Sequence, residues 1–194
     1  MRSLGSTVLI LLLPALALAQ GSVAWTTNHY SVTGSTFSEI RASIERSRPS
    51  QLGRMDGLTA WRIEWRFATE PAANGCRCSS FSPRTSIAVT LPRWVAPSNT
   101  APMIIQAWTR YITALGQHEA GHGQLALAAA AEMQKRALET PETADCRAMN
   151  ERINALARGI VDDYRRRDQE YDERTRHGET QGAVLPGGRR RPGP

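Results

Sequence analysis

The chain has 194 residues, 41% hydrophobic and 22% charged, with 24 Lys and Arg against 18 Asp and Glu, a formal charge of +6 and a pI near 9.9. That length suits one domain of ordinary size. Arg2, Arg189, Arg190 and Arg191 carry four of the positive charges, so the body between them is only about +2, too little to indicate a nucleic-acid-binding surface.

Near the start of the chain, Arg2 is followed by an apolar run from Val8 to Leu13 and then "PALALAQ", in which Ala17-Leu18-Ala19 has the small-x-small form of a signal-peptidase site. An export signal over 1–19 is expected, with a mature chain from Gln20 that is periplasmic or secreted. The apolar run is short for a bilayer span, and no later stretch replaces it, so no transmembrane segment is expected after signal removal. The three cysteines are Cys76, Cys78 and Cys146. An oxidising compartment favours a disulfide. Cys76 and Cys78 are too close to bridge each other easily, so Cys146 pairs with one of them. Cys78–Cys146 is the expected bond and Cys76–Cys146 the alternative.

Trp25 to Val32 reads as a strand. "GSTFSEIRASIERSRP" reads as a helix, with Thr36 and Glu39 forming a capping box and Pro49 as the stop. "WRIEWRFA" alternates strictly, with Trp61, Ile63, Trp65 and Phe67 on one face, which predicts a half-buried strand. "TSIAVTLP" predicts another, with Ile87, Val89 and Leu91 inward and Pro92 as its end. "TEPAANGCRCSSFSPR" between them is expected to be a loop. From Ala101 to about Leu138 the alanine-rich, proline-free chain favours helix. After "ETPET", the series Cys146, Met149, Ile153, Leu156, Ile160 and Tyr164 marks one face of a second long helix. The fold expected is α+β: a small, mostly antiparallel sheet packed on helices, zincin-like, with two long C-terminal helices. The domain is expected over 20–180, followed by a disordered Gly/Pro/Arg tail over 181–194.

The chemistry concentrates in "QHEAGHGQLALAAAAEMQKRAL". His118 and His122 are four residues apart, so on a helix their rings share a face and can share a metal. Glu119 is rotated about 100° from His118, beside a bound metal rather than on it. Two imidazoles, a third ligand and an open position make a catalytic zinc site, with Glu119 as general base. Gly121 and Gly123 each weaken a helix by about 1 kcal/mol relative to alanine, so something must come close there: another backbone, a substrate, or a tightly packed helix. The metzincin third histidine is excluded because its position holds Ala128. Glu132 is about 15 Å along the same helix and cannot reach. The third ligand is expected from "EYDERTRHGE". His177 is the expected ligand, turned back by Gly178, and Asp172 is the rival ligand or the acceptor of a ligand's N–H. An oxyanion donor is expected from Tyr171, Tyr164 or an arginine. Thr175 is expected to support the local turn.

"HEAGHG", the strand end "LPRW", a cysteine upstream of that strand, Cys146 and "YDERTRHG" together resemble a family of exported bacterial proteins. That family was long catalogued as a domain of unknown function and is described, by inference, as zinc-dependent proteases. The resemblance runs from about Tyr30 to Gly178, and its strongest motifs are H-E-x-G-H and Y-D-x-x-T-x-H-G. It implies zinc on His118 and His122 with Glu119 as base, and leaves Cys76 and the arginine-rich tail as local additions. The functional expectation is an exported zinc metallopeptidase acting on a peptide or protein substrate. The alternatives are a non-catalytic zinc-binding envelope module and a zinc-free structural or adaptor protein.

Overall fold

The computed structural model describes residues 21–187; the expected signal segment, 1–19, and the arginine run of the tail lie outside the described residues. The order is β1 (Ser22–Val32), α1 (Phe37–Ser47), a 3-10 turn (Ser50–Leu52), β2 (Leu58–Ala72), β3 (Gly75–Trp94), α2 (Pro102–Leu138), α3 (Cys146–Thr175) and a second 3-10 turn (Glu179–Gln181). The protein is α+β, with three strands in the order β1-β3-β2 and two long C-terminal helices. Among the described residues no helix is long and apolar enough to cross a membrane.

The local signals act as expected in several places. Thr36 and Glu39 cap α1 reciprocally. The alternating stretch of β2 directs Ile63 into the core, with Trp61, Trp65 and Phe67 packed partly buried beside it. Four expectations are corrected. The sheet is mixed rather than mostly antiparallel: β3 pairs antiparallel with β2 but parallel with β1, because the chain passes through α1 and β2 before β3 returns alongside β1. The expected loop is the far end of a long hairpin, in which β2 and β3 pair from Ala72 opposite Gly75 to Leu58 opposite Thr90. Pro92 does not end β3. It lies past the end of the β2 pairing at Thr90, where a missing N–H is tolerated on the unpaired side, and the strand continues along β1 to Trp94.

The fourth correction is the disulfide, which joins Cys76, not Cys78, to Cys146. The hairpin tip is pinned to the α2–α3 connection by two backbone hydrogen bonds between Cys76 and Thr143, of 2.9 and 3.0 Å. This brings the Cα atoms of Cys76 and Cys146 to 5.0 Å, within normal disulfide reach. Cys78, two residues further along the same face of β3, remains a buried thiol.

α2, about 55 Å long at 1.5 Å per residue, crosses the sheet and joins two cores. Its first half packs Trp108, Tyr111 and Leu115 against Tyr30, Ile40, Ile44 and Trp94. Its second half packs Ala129, Ala130, Met133 and Ala137 against Phe81 and the α3 face Met149, Ile153, Ala157 and Ile160. α3 runs back antiparallel, with contacts Glu132–Tyr164, His122–Asp168 and His118–Asp172 stepping along the pair. Past residue 180 the chain is not yet tail. Gln181 closes the second 3-10 turn, and Leu185 is buried in the first core because it covers the apolar surface between α1 and α2.

Candidate metal centre

The turn of α2 that carries His118, Glu119 and His122 lies between the two cores, and all three side chains are buried. α3 faces it with Asp168 and Asp172, one turn apart, so two pairs at four-residue spacing meet across an antiparallel helix pair. Nε2 of His118, Nε2 of His122 and Oδ1 of Asp172 form a nearly equilateral triangle, with separations of 3.2, 3.1 and 3.2 Å. Donors around a tetrahedral zinc at about 2.0–2.1 Å stand about 3.3 Å apart, so this triangle has the size of one face of such a site. These three residues form the group, among the described residues, that could hold a metal ion.

The remaining ring nitrogens explain why both Nε2 atoms point at one place. Nδ1 of His122 is 2.8 Å from Oδ1 of Asp168, and Nδ1 of His118 is 2.9 Å from Oε1 of Gln181. Both partners are acceptors, so each Nδ1 carries a proton and each Nε2 offers a lone pair toward the carboxylate of Asp172. Three electron-rich atoms at this spacing require a cation, either a proton or a metal. Burial alone would lower the pKa of His122, but the hydrogen bonds and charges of Asp168 and Asp172 outweigh it and raise it to about 10. Burial would raise Asp172, but the two histidines hold it well below the usual carboxylate range. The corner therefore attracts positive charge, and its donor set of two imidazoles and one carboxylate suits zinc.

Glu119 is not part of the triangle. Oγ1 of Thr59, at the start of β2, donates to Oε2 of Glu119 at 2.8 Å and lies 3.0 Å from its backbone carbonyl. Gly57 lies against the other carboxylate oxygen, and a Cβ there would be 2.6 Å from Oε1. Burial raises the Glu119 carboxyl above its ordinary value, and Thr59 and the two histidines offset part of that. A cavity of about 1040 Å³ opens beside these groups, lined by Gly57, Thr59, His118, Glu119, His122 and Asp172 among others.

His177 does not supply the third corner. α3 continues as helix through Thr175, so Asp172 still faces α2, whereas His177 follows the helix cap. Its Nδ1 lies 3.1 Å from Oδ1 of Asp172, yet is buried without a hydrogen bond. Arg176 and His177 both take left-handed backbone angles, φ 51° and 53°, so two non-glycine residues hold a sparsely populated conformation next to the site. Asp172 is thus a corner of the triangle, and the outer role expected of it falls to Asp168 and Gln181. Tyr171 packs directly beside the two histidines. Its ring stacks on His118 at 5.0 Å, and its hydroxyl accepts from Nε2 of Gln181 at 3.1 Å. The hydroxyl of Tyr164 is engaged by Glu132. Thr175 supports the turn, donating to the carbonyl of Tyr171 at 2.7 Å and accepting from the N–H of Gly178 at 3.3 Å. The glycines do admit close neighbours: a side chain at Gly121 would overlap Tyr171, and one at Gly123 would overlap Trp25.

Sequence reasoning missed Asp168, Thr59, Gly57 and Gln181. Only Asp168 had a signal, its four-residue spacing from Asp172 matching that of the histidines.

No curated protein and no solved structure matches the chain. Residues 27–178 match the family described as "Bacterial protein of unknown function (DUF922)", a stretch that takes in β2, β3, both long helices and the whole His118–His122–Asp172 triangle. The chain therefore belongs to this family.

Proposed function

We propose that the protein is an exported zinc-dependent peptidase of zincin type, with zinc held by His118, His122 and Asp172. The observation that carries this reading is the pairing of the donor triangle with a separate, buried carboxylate. The donors would hold the metal, while Glu119 is kept off it by Thr59 and faces the same cavity. Zinc bound there would act as a Lewis acid on a water and a carbonyl. Glu119 would take a proton from the attacking water and return it to the departing amine nitrogen as the C–N bond breaks. A carboxyl raised by burial suits both halves of that transfer. Thr59 and Gly57 would keep its oxygens in place, while Asp168 and Gln181 would hold the imidazole orientations. The Cys76–Cys146 disulfide supports an exported location.

A second reading, a closed non-catalytic zinc site, is favoured by the buried Nδ1 of His177, which makes no hydrogen bond, lies 3.1 Å from Oδ1 of Asp172 and would serve as a fourth donor. Glu119→Gln separates the two. On the peptidase reading this variant keeps its metal and loses cleavage of a mixed peptide library that the wild type cleaves. If the wild type cleaves nothing while holding stoichiometric zinc, the closed site is correct.

A further inference from the structure

The segment that leads into β2 is held at one residue by three other elements. Oδ2 of Asp56 accepts from Nη1 of Arg41, on α1, at 2.6 Å and from the hydroxyl of Tyr111, on α2, at 2.7 Å. Its other oxygen lies 3.6 Å from Nη1 of Arg48, at the α1 cap, which also donates to the carbonyl of Arg54 at 2.8 Å. The backbone carbonyl of Asp56 accepts from the hydroxyl of Tyr30, on β1, at 2.8 Å. The next residue, Gly57, is the one that abuts Oε1 of Glu119, and Thr59 binds Oε2. Tyr111 and Glu119 are eight residues apart on α2, about 12 Å along its axis. One helix therefore grips this segment at Asp56 and meets it again at Glu119. Arg41 and Asp56 are largely buried, and Nε of Arg41 makes no hydrogen bond. Apolar side chains of similar volume often stabilise a core as well as a buried ion pair or better, so stability alone does not account for this cluster.

We propose that Asp56, fixed by Arg41, Arg48, Tyr111 and Tyr30, is a positioning residue: it sets the place of Gly57 and Thr59, and through them the orientation of the Glu119 carboxylate. The catalytic consequence rests on the peptidase reading above. There, Glu119 must meet the attacking water and then the departing nitrogen, and a carboxylate confined between Gly57 and Thr59 has few orientations to search. The donor triangle is oriented separately, by Asp168 and Gln181. Loosening the brace should therefore displace the base and leave the metal in place.

The test uses zinc-loaded full-length protein and three variants. Tyr111→Phe removes a single hydroxyl, Asp56→Ala/Arg41→Met removes both charges together, and Asp56→Asn keeps an acceptor for Arg41 and Tyr111. Backbone hydrogen exchange is read over 55–60 and over 115–125, beside zinc content and the kinetics of the peptide that the wild type cleaves best. Exchange over 55–60 should quicken in Tyr111→Phe and more so in the double variant, with 115–125 and zinc content unchanged. The kcat should fall about tenfold in Tyr111→Phe and about 100-fold in the double variant at unchanged KM, the larger being the scale of an ångström-sized misplacement. Asp56→Asn should recover most of that loss. If the double variant fails to fold, Tyr111→Phe decides. Unchanged exchange over 55–60, unchanged kcat despite faster exchange, or zinc lost in step with kcat overturns the brace. So does a rise in KM alone, which would make Asp56, itself part of the cavity wall, a contact of the substrate. Faster exchange confined to 55–60 in a protein whose wild type cleaves no peptide would sustain the brace and overturn only the peptidase reading.

Discussion

Oε1 of Gln181 lies 2.9 Å from Nδ1 of His118, while Nε2 of the same amide donates to the Tyr171 hydroxyl at 3.1 Å. Tyr171 in turn stacks on the His118 ring. One amide therefore locks both the tautomer and the tilt of an imidazole whose other nitrogen faces Asp172. Losing such an outer partner typically weakens metal affinity about 10–100-fold. Gln181→Ala, and equally a chain ending at residue 180, should show that loss in a competitive zinc titration. Unchanged affinity would mean that the C-terminal turn does not hold the site.

Gly57 gives a prediction about catalysis alone. A methyl group there would meet Oε1 of Glu119 and force the carboxylate aside without touching the donor triangle. On the peptidase reading, Gly57→Ala should keep full metal content and lose about 100-fold in kcat/KM, the scale of an ångström-sized misplacement. Parallel loss of metal would show that the substitution disturbs α2 itself.

The parts of the fold that were legible in the sequence follow local rules. The Thr36–Glu39 capping box, the alternation through Ile63 and the periodicity through Met149 and Ile153 each depend on near neighbours in the chain. The parallel pairing of β1 with β3 does not, because it is decided by where the chain goes between them. Cys76 and Cys78 are equivalent by spacing, and only the Cys76–Thr143 bridge distinguishes them. In the site, His118, Glu119 and His122 announce themselves through helical spacing. The choice between Asp172 and His177 depended on how far α3 continues, and helix ends are weakly encoded. Thr59, Gly57 and Gln181 are common residue types with no pattern, and they acquire roles only through the tertiary fold.

The disulfide closes a loop of 70 residues in sequence separation, worth about 4 kcal/mol on the chain-entropy account and often less in practice. Cys76→Ser should lower unfolding free energy on that scale. Cys78→Ala should lose only about 1 kcal/mol of packing. Peptide mapping without reduction should return Cys76 linked to Cys146. A Cys78–Cys146 peptide as the main species would contradict the pairing.

Alkaline stability follows from two tyrosines. Burial, reinforced by the Asp56 carboxylate, raises the pKa of both Tyr30 and Tyr111. In the unfolded chain they ionise near pH 10 or just above (about 10 for tyrosine), whereas in the folded chain they keep their protons. The unfolded state then binds fewer protons, so stability is fully present below about pH 10 and falls as pH rises above it. Denaturant midpoints measured across that range should decline for the wild type and decline less steeply for Tyr111→Phe. Equal slopes would show that Tyr111 does not contribute.

The central claim is that His118, His122 and Asp172 hold one metal ion. Its most direct test is the metal content of purified protein by plasma mass spectrometry, in the wild type and in His118→Ala, His122→Ala, Asp172→Ala and His177→Ala. The account predicts about one zinc per chain in the wild type, near-complete loss in the first three variants and retention in His177→Ala. A wild type without metal, or zinc that persists in Asp172→Ala and disappears in His177→Ala, would contradict it.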